Sequence, residues 1–353
     1  MNIRKYILIL FILAFTFFGC YEKKDDQSPL LFTAYEISSR IDYETSSRID
    51  AAVKTATNNC NCNRIQPFYW EIGDKNEKIV SASIPETTHY DESSPMYIAS
   101  SSKWIWGAYV LERLKKDNGS QPGINERSYL RMMSGYTNLE ELYCIGNTTT
   151  VYDCYNAGNN STKNSGDENK FYYESGHFQA YAVLIFQNLK DMLPDSLTNE
   201  ILNYLGHDID FSYKTTLLAG GGYCTPAAYR VFLQKILNRN LAISDYLGVD
   251  AVCAQPENCP SEAEYTPLPS TEYWHYSYGH WVEDDPNTGD GSFSSPGAFG
   301  FYPWINNDKD LYGIVARQAN VLLEPFAYNN SAFCGSLIRK AYNEGKEQTD
   351  DCY

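Results

Sequence analysis

Trp104 to Leu111 (WIWGAYVL) carries no charge on any side. A helix that is apolar all round has no face to offer to water, so the rest of the fold must enclose it. Enclosure needs a sizeable core, and 353 residues supply one as a single large domain or two lobes. With 43% hydrophobic and 20% charged residues, the composition is globular rather than disordered. Lys+Arg number 28 against 44 Asp+Glu, a formal charge of −16. That balance argues against a nucleic-acid partner, because no surplus of cations exists to displace counterions from phosphates.

Arg4 and Lys5 precede a nearly unbroken apolar run from Tyr6 to Phe18. The run is short for a bilayer span and suits the h-region of a secretory signal. Phe17-Phe18-Gly19-Cys20 resembles a bacterial lipobox. The expectation is a lipoprotein signal peptide over 1–19, lipidation of Cys20, and a polar tether over 20–35. Plain secretion with cleavage nearby is the alternative. Either way the chain is exported, and on the first reading the N-terminal lipid holds it to a membrane of the cell envelope. Nine cysteines follow Cys20, and an oxidising compartment allows them to pair. Short loops favour Cys144–Cys154, Cys253–Cys259 and Cys334–Cys352, leaving Cys60, Cys62 and Cys224 with one unpaired. No CxxC pair occurs and no His lies near Cys60-Asn61-Cys62, so no metal site is expected.

Residues 38–42 and 46–50 both read SSRID, which extends an N-terminal helix into Ala51 to Ala56. Phe68 to Ile72, the polar Gly73-Asp74-Lys75-Asn76 and Ile79 to Ile84 read as a β-hairpin. Residues 145–170 are rich in Asn, Thr, Ser and Gly and mark a surface loop. Helical spacing links Phe178, Tyr181, Ala182, Ile185 and Leu189, and again Tyr229, Phe232, Leu233, Ile236 and Leu237. The second helix opens with Thr225 as N-cap and Pro226 at its first position. Strand patterns cover Trp274–Trp281, Ala298–Ile305 and Tyr312–Ala316, and a last helix covers Ser336 to Tyr342. The order predicts an α+β domain over 36–353, its antiparallel sheet built from both chain ends, with a mainly helical lobe inserted over about 105–270.

Tyr97-Ile98-Ala99-Ser100-Ser101-Ser102-Lys103 contains the only Ser-x-x-Lys of the chain. In a helix beginning at Ser100, the i,i+3 spacing puts Ser100 and Lys103 on one face. A serine hydroxyl becomes a nucleophile when a neighbouring base takes its proton, and burial suits a lysine to that task. The helix N-terminus also offers free N–H groups to a developing oxyanion. The bland alternative is an N-capping serine cluster followed by a surface lysine.

Three further segments, in order, resemble motifs of the serine β-lactamase and penicillin-binding superfamily, in its branch of β-lactamase-related, class C-like enzymes. Ala99 to Lys103 is similar to the motif that carries the acylated serine and its lysine. Tyr173-Glu174-Ser175 resembles the second motif, with Tyr173 as proton shuttle and Ser175 as its polar partner. Ala219-Gly220-Gly221 resembles the Ala-Gly-Gly segment that precedes a helix. Ser295-Pro296-Gly297-Ala298 resembles the third motif, where the family usually carries Lys or His and this chain has Ser295. The resemblance spans roughly residues 65 to 317. It implies a Ser100 acyl-enzyme with Lys103 as general base, and an oxyanion hole from the N–H groups of Ser100 and Ala298. Ser295 and Gly297 would face the substrate, and no cofactor would be needed. Ser295 in place of a cation lowers the expectation of penicillin recognition and leaves ester, amide or peptidoglycan-like substrates open.

Other candidates are weaker. No Gly-x-Ser-x-Gly elbow occurs, which disfavours an α/β-hydrolase. His177 and His280 could line the cleft, with satisfied structural histidines at least as plausible. Asp284 to Gly291 is acidic but lacks the EF-hand register, and a solvated hairpin loop is expected there. The 30 Tyr and 6 Trp suggest a carbohydrate platform, although most should fill the core. Two functions remain: an exported, lipid-anchored serine hydrolase, or a catalytically inactive surface lipoprotein of the same fold that binds peptidoglycan or another partner.

Overall fold

The computed structural model describes residues 34–349. The expected signal peptide, the lipidated Cys20, the tether through residue 33 and Cys352 lie outside the described residues. In chain order, α1 (Ala34–Asn58) and the one-turn α2 (Cys60–Asn63) lead into a hairpin of β1 (Phe68–Asp74) and β2 (Lys78–Ile84). β3 (Met96–Tyr97) enters a 3-10 turn, Ala99–Ser101, and then α3 (Ser102–Asn118). Next come α4 (Ile124–Leu130), α5 (Val151–Asn156), β4 (Phe171–Tyr172), α6 (Gly176–Leu184), α7 (Pro194–Leu205), β5 (Phe211–Tyr213), β6 (Gly222–Cys224) and α8 (Pro226–Leu237). β7 (Val252–Cys253), β8 (Ala263–Tyr265), β9 (His275–Tyr276), β10 (Trp281–Glu283), β11 (Ser292–Ser294), β12 (Tyr302–Ile305) and β13 (Leu311–Ala316) precede α9 (Ala327–Glu344).

The main sheet has eight strands in the order β2-β1-β13-β12-β11-β10-β9-β7, antiparallel throughout. β1 lies between β2 and β13, so both ends of the chain build the sheet, and the fold is α+β as the sequence implied. β3, β6 and β5 form a small second sheet, and β4 pairs with β8 in parallel. α3 is buried from Ser102 to Glu112, as its uncharged surface requires. Trp104 stacks on His280 and meets Phe232 of α8 edge-on. Thr225 caps α8, its Oγ1 accepting from the Ala228 N–H at 3.1 Å, with Pro226 at the first position.

Two strand expectations need correction. Trp274–Trp281 is not one strand, because a turn with the Ser277 N–H on the His280 carbonyl separates β9 from β10. Gly279 in that turn has φ +79°, and a Cβ there would collide with the Lys103 carbonyl oxygen. Ala298 is not in a strand either; it sits in a turn, and β12 begins only at Tyr302. The loop expected over 145–170 contains α5, and the last helix is longer than its apolar periodicity suggested.

Cys144–Cys154 and Cys253–Cys259 pair as expected. Cys334 does not pair with Cys352: it bonds Cys62, with the two Cα atoms 4.9 Å apart. α9 packs on α2 and brings together residues 272 apart in sequence, a contact that loop length alone disfavours. Cys60 is disulfide-bonded too, and Cys224 is a buried free thiol. No helix among the described residues is long and apolar enough to cross a membrane. The Cys62–Cys334 loop should restrain the unfolded chain more than the Cys253–Cys259 loop, by roughly 3 kcal/mol on chain entropy. Replacing both residues of the first pair by Ser is therefore expected to lower Tm more than the same change in the second, as thermal unfolding would measure.

Candidate active site

Three segments meet at Ser100. The Ile98 N–H donates to the Gly222 carbonyl at 3.0 Å. Ser102 Oγ donates to the Ala99 carbonyl at 2.6 Å and accepts from the Gly222 N–H at 3.0 Å. Ser101 Oγ donates to the Ser295 carbonyl at 2.6 Å, and Tyr229 Oη donates to the Ser101 carbonyl at 2.9 Å. The three consecutive serines thus have separate tasks: 101 and 102 tie the turn to its neighbours, and only Ser100 turns its hydroxyl to a lysine. The turn is strained, since Ala99 has φ +42° without being glycine. Such a residue costs about 1–3 kcal/mol and persists because its surroundings hold it there. The α-helix starts at Ser102, two residues later than expected, and Ser100 lies in the 3-10 turn before it.

Lys103 is only 3% exposed. Its Nζ donates to Ser100 Oγ at 2.9 Å and to the Ala219 carbonyl at 3.1 Å. It also lies 4.8 Å above the Tyr173 ring centroid. Among the described residues no carboxylate comes within ion-pair distance of it. Sequence reasoning placed Ala219 in the Ala-Gly-Gly segment without giving it a role of its own. The Ala-Gly-Gly segment was the available signal, but the contribution is a main-chain carbonyl. Gln179 holds this loop through the Val151 and Thr216 carbonyls, and Tyr213 Oη holds it through the Leu218 carbonyl.

Tyr173 reaches the lysine with its face. Its ring stacks on Trp281 at 5.1 Å and meets Tyr276 edge-on. Among the described residues no hydrogen bond joins its hydroxyl to Ser100 or Lys103. Ser175 Oγ is spent on Glu141 Oε1 at 2.9 Å. Glu174 turns back so that the Ser175 N–H donates to its Oε1 at 2.6 Å. Burial pushes this carboxyl up from an ordinary 4.5 to about 7, and Glu141 adds to the rise. The Ser175 N–H and Lys103 pull the other way. Glu174 and Glu141 were not foreseen, although Glu174 is the central residue of the Tyr-Glu-Ser triplet.

Ser295, 3% exposed, sits against the turn that carries Ser100, and its Oγ donates to the Ser100 carbonyl at 3.1 Å. A Cβ on Gly297 would collide with the Ile98 carbonyl oxygen, so only glycine allows this approach. The Gly297 N–H donates to the Phe301 carbonyl at 2.8 Å. Among the described residues the N–H groups of Ser100 and Ala298 donate to no protein acceptor. The two histidines are structural. His177 holds Ser134 and the Tyr172 carbonyl, His280 holds the Gly248 N–H and the Tyr278 carbonyl, and burial lowers them to about 3 and about 4. Asp284 to Gly291 is the β10–β11 hairpin loop, with Asp285 Oδ1 accepting from the Asn287 and Thr288 N–H groups. No cluster of three or more potential metal ligands occurs among the described residues.

Two outcomes follow from this geometry. Gly297→Ala forces apart the third motif and the nucleophile turn and is expected to cost about 1–3 kcal/mol in denaturant unfolding. The raised Glu174 carboxyl costs nothing while protonated in both states and penalises folding as pH rises from 4.5 through about 7. Glu174→Gln should therefore raise Tm relative to the parent above about pH 7 and lose that advantage below about pH 4.

No protein-family model matches the sequence, and no curated protein matches it. Solved structures do. A penicillin-binding protein homologue from Pyrococcus abyssi aligns with TM-score 0.56 at 12% identity, covering 90% of this chain and 78% of that one. A D-amino acid amidase from Ochrobactrum anthropi aligns with TM-score 0.53 at 12% identity, covering 86% and 99%. A β-lactamase from Mycobacterium bovis aligns with TM-score 0.50 at 12% identity, covering 78% and 96%. The likeness extends over most of each chain at identities where only architecture is preserved, and this protein has the fold of the β-lactamases and penicillin-binding proteins.

Proposed function

We propose that this protein is an exported serine hydrolase of the β-lactamase-related type, acting by acyl transfer through Ser100. The observation that carries the reading is the 2.9 Å hydrogen bond between the Nζ of buried Lys103 and the Oγ of part-buried Ser100. In the first step Lys103 takes the Ser100 proton as Oγ bonds to the substrate carbonyl carbon. The N–H groups of Ser100 and Ala298 receive the oxyanion, a large share of the stabilisation in acyl transfer. The tetrahedral intermediate collapses as the leaving oxygen or nitrogen takes up the proton, with Tyr173 as shuttle once its ring turns its hydroxyl toward Lys103. Water then attacks the acyl-enzyme by the same route in reverse, with Gly297 and Ser295 bordering the substrate. The substrate class is a small ester, amide or peptidoglycan-like compound. The disulfides support an oxidising compartment, and lipidation of Cys20 would hold the domain at a membrane of the envelope.

A second reading, a binding protein that keeps the fold without turnover, has one observation in its favour. Tyr173 presents its ring face rather than its hydroxyl to Lys103. Intact mass after a fluorophosphonate separates the two. An adduct that disappears in Ser100→Ala and forms about a hundredfold more slowly in Lys103→Met is expected for the hydrolase. A folded protein that never takes up the probe is the binding protein. A parallel incubation with a penicillin reports whether β-lactams acylate the same serine.

A further inference from the structure

The arginines of the interior are spent on carboxylates. Arg230 binds Glu71 and Glu92, Arg317 binds both oxygens of Glu324, and Arg339 binds Glu283 and both oxygens of Asp290. Two arginines on and just after α4 differ. Arg127 is half exposed, and its guanidinium is engaged only through Nε, 3.4 Å from Asp250 Oδ2. Arg131 donates from Nε to the Arg127 carbonyl at 2.7 Å and from Nη1 to the Asp250 carbonyl at 2.9 Å. Among the described residues, the two terminal nitrogens of Arg127 and Nη2 of Arg131 have no protein acceptor. Both side chains line an open hollow of about 200 Å³, together with Ile124, Ser128, Met133 and Asn169. Ser128 and Asn169 bond to Met133 through main-chain groups, which leaves their side chains to the hollow. The floor is fixed, since the Leu130 carbonyl accepts from the Gly279 N–H at 3.1 Å and the Met132 carbonyl from the Tyr172 N–H at 3.0 Å.

We propose that this hollow is a second binding site, for an organic monocarboxylate with a short aliphatic body. A guanidinium presents paired N–H groups in a fork that matches a carboxylate, and charge-assisted hydrogen bonds are roughly twice as strong as neutral ones. The local charges set the valence. Two guanidiniums face one carboxylate, that of Asp250, which also accepts from Tyr278 Oη at 2.7 Å. The excess is one positive charge, which suits a monoanion. The other acidic groups nearby are occupied: buried Glu126 accepts from the Gly123 N–H and Tyr181 Oη, and Glu168 pairs with Lys163. Ile124, 88% exposed, and Met133 supply an apolar wall for the body of the ligand. A hollow of this size is smaller than the roughly 300–1,000 Å³ that encloses a drug-sized ligand, so it takes a chain end. The formal charge of −16 repels anions at long range, and the affinity has to come from contact. None of the residues that meet at Ser100 lines the hollow, and the proposal does not depend on the hydrolase reading.

Calorimetry tests the site with N-acetyl-L-leucine, hexanoate, N-acetyl-L-leucinamide, N-acetylglycine and inorganic phosphate. N-acetyl-L-leucine has the carboxylate and aliphatic body of a peptide end, and hexanoate has those of a fatty acid; the tighter of the two names the source. That ligand is expected to bind about tenfold tighter than the neutral leucinamide, a difference of about 1.4 kcal/mol. It should also bind about threefold tighter than N-acetylglycine, which lacks the body, with phosphate weakest. Arg127→Gln is the decisive variant, because its side chain is half exposed whereas Arg131 also holds main-chain carbonyls. It should weaken binding about tenfold at unchanged Tm, and Ile124→Ser about threefold. Ser100→Ala should bind as the parent does. No measurable binding of either aliphatic carboxylate, equal affinity for the leucinamide, or an affinity unmoved by Arg127→Gln overturns the proposal. Loss of binding in Ser100→Ala overturns it by placing the ligand in the cleft at Ser100. Phosphate binding tighter than both carboxylates overturns the monocarboxylate class.

Discussion

Withdrawing a lysine nitrogen from water without a carboxylate against it is expensive, and much of this molecule is arranged around having done so. Lys103 sits in the buried N-terminal half of α3, so the helix carries the nitrogen into the interior as it buries Trp104 and Trp106. The compensation is a hydroxyl, a main-chain carbonyl and an aromatic face. Each has its own support: Ser100 a strained turn, Ala219 a loop held by Gln179, and Tyr173 the indole of Trp281. A carboxylate in direct contact would have been the cheaper partner, and its place is taken by the serine.

The second constraint is steric. The turn that carries Ser100 and the segment around Gly297 approach until only a hydrogen fits between the Gly297 Cα and the Ile98 carbonyl. At that distance Ser101 and Ser295 exchange hydrogen bonds with the opposite segment. Ser295 therefore braces the turn that carries Ser100.

What could be read from the sequence divides along physical lines. Local rules worked where one segment decides its own conformation. The hairpin of β1 and β2, the Thr225-Pro226 cap and the buried α3 each follow from one short stretch of sequence. The Ser100–Lys103 spacing is local too, although the turn that presents Ser100 is held by residues far along the chain. The resemblance carried the architecture further than periodicity could. The misses are tertiary. Cys62 meets Cys334 because α9 packs on α2, and nothing in the spacing of either cysteine reports that. Ala298 reads as strand by side chain but lies in the turn that the Gly297–Ile98 approach forces. Ala219 acts through a carbonyl, which leaves no trace in residue type. Glu174 looks like an ordinary acidic residue until burial raises its carboxyl.

The bond from Ser101 to Ser295 joins residues 194 apart, and the contacts from Ser102 and Lys103 to the Ala-Gly-Gly region reach across more than a hundred. A chain emerging from the ribosome has made Ser100 and Lys103 long before it has made either support. Until residue 295 arrives, the strained Ala99 has nothing to hold it and the turn is free to relax into an ordinary serine-rich loop. The order of synthesis thus leaves the Ser100–Lys103 turn without its supports until most of the chain has been made.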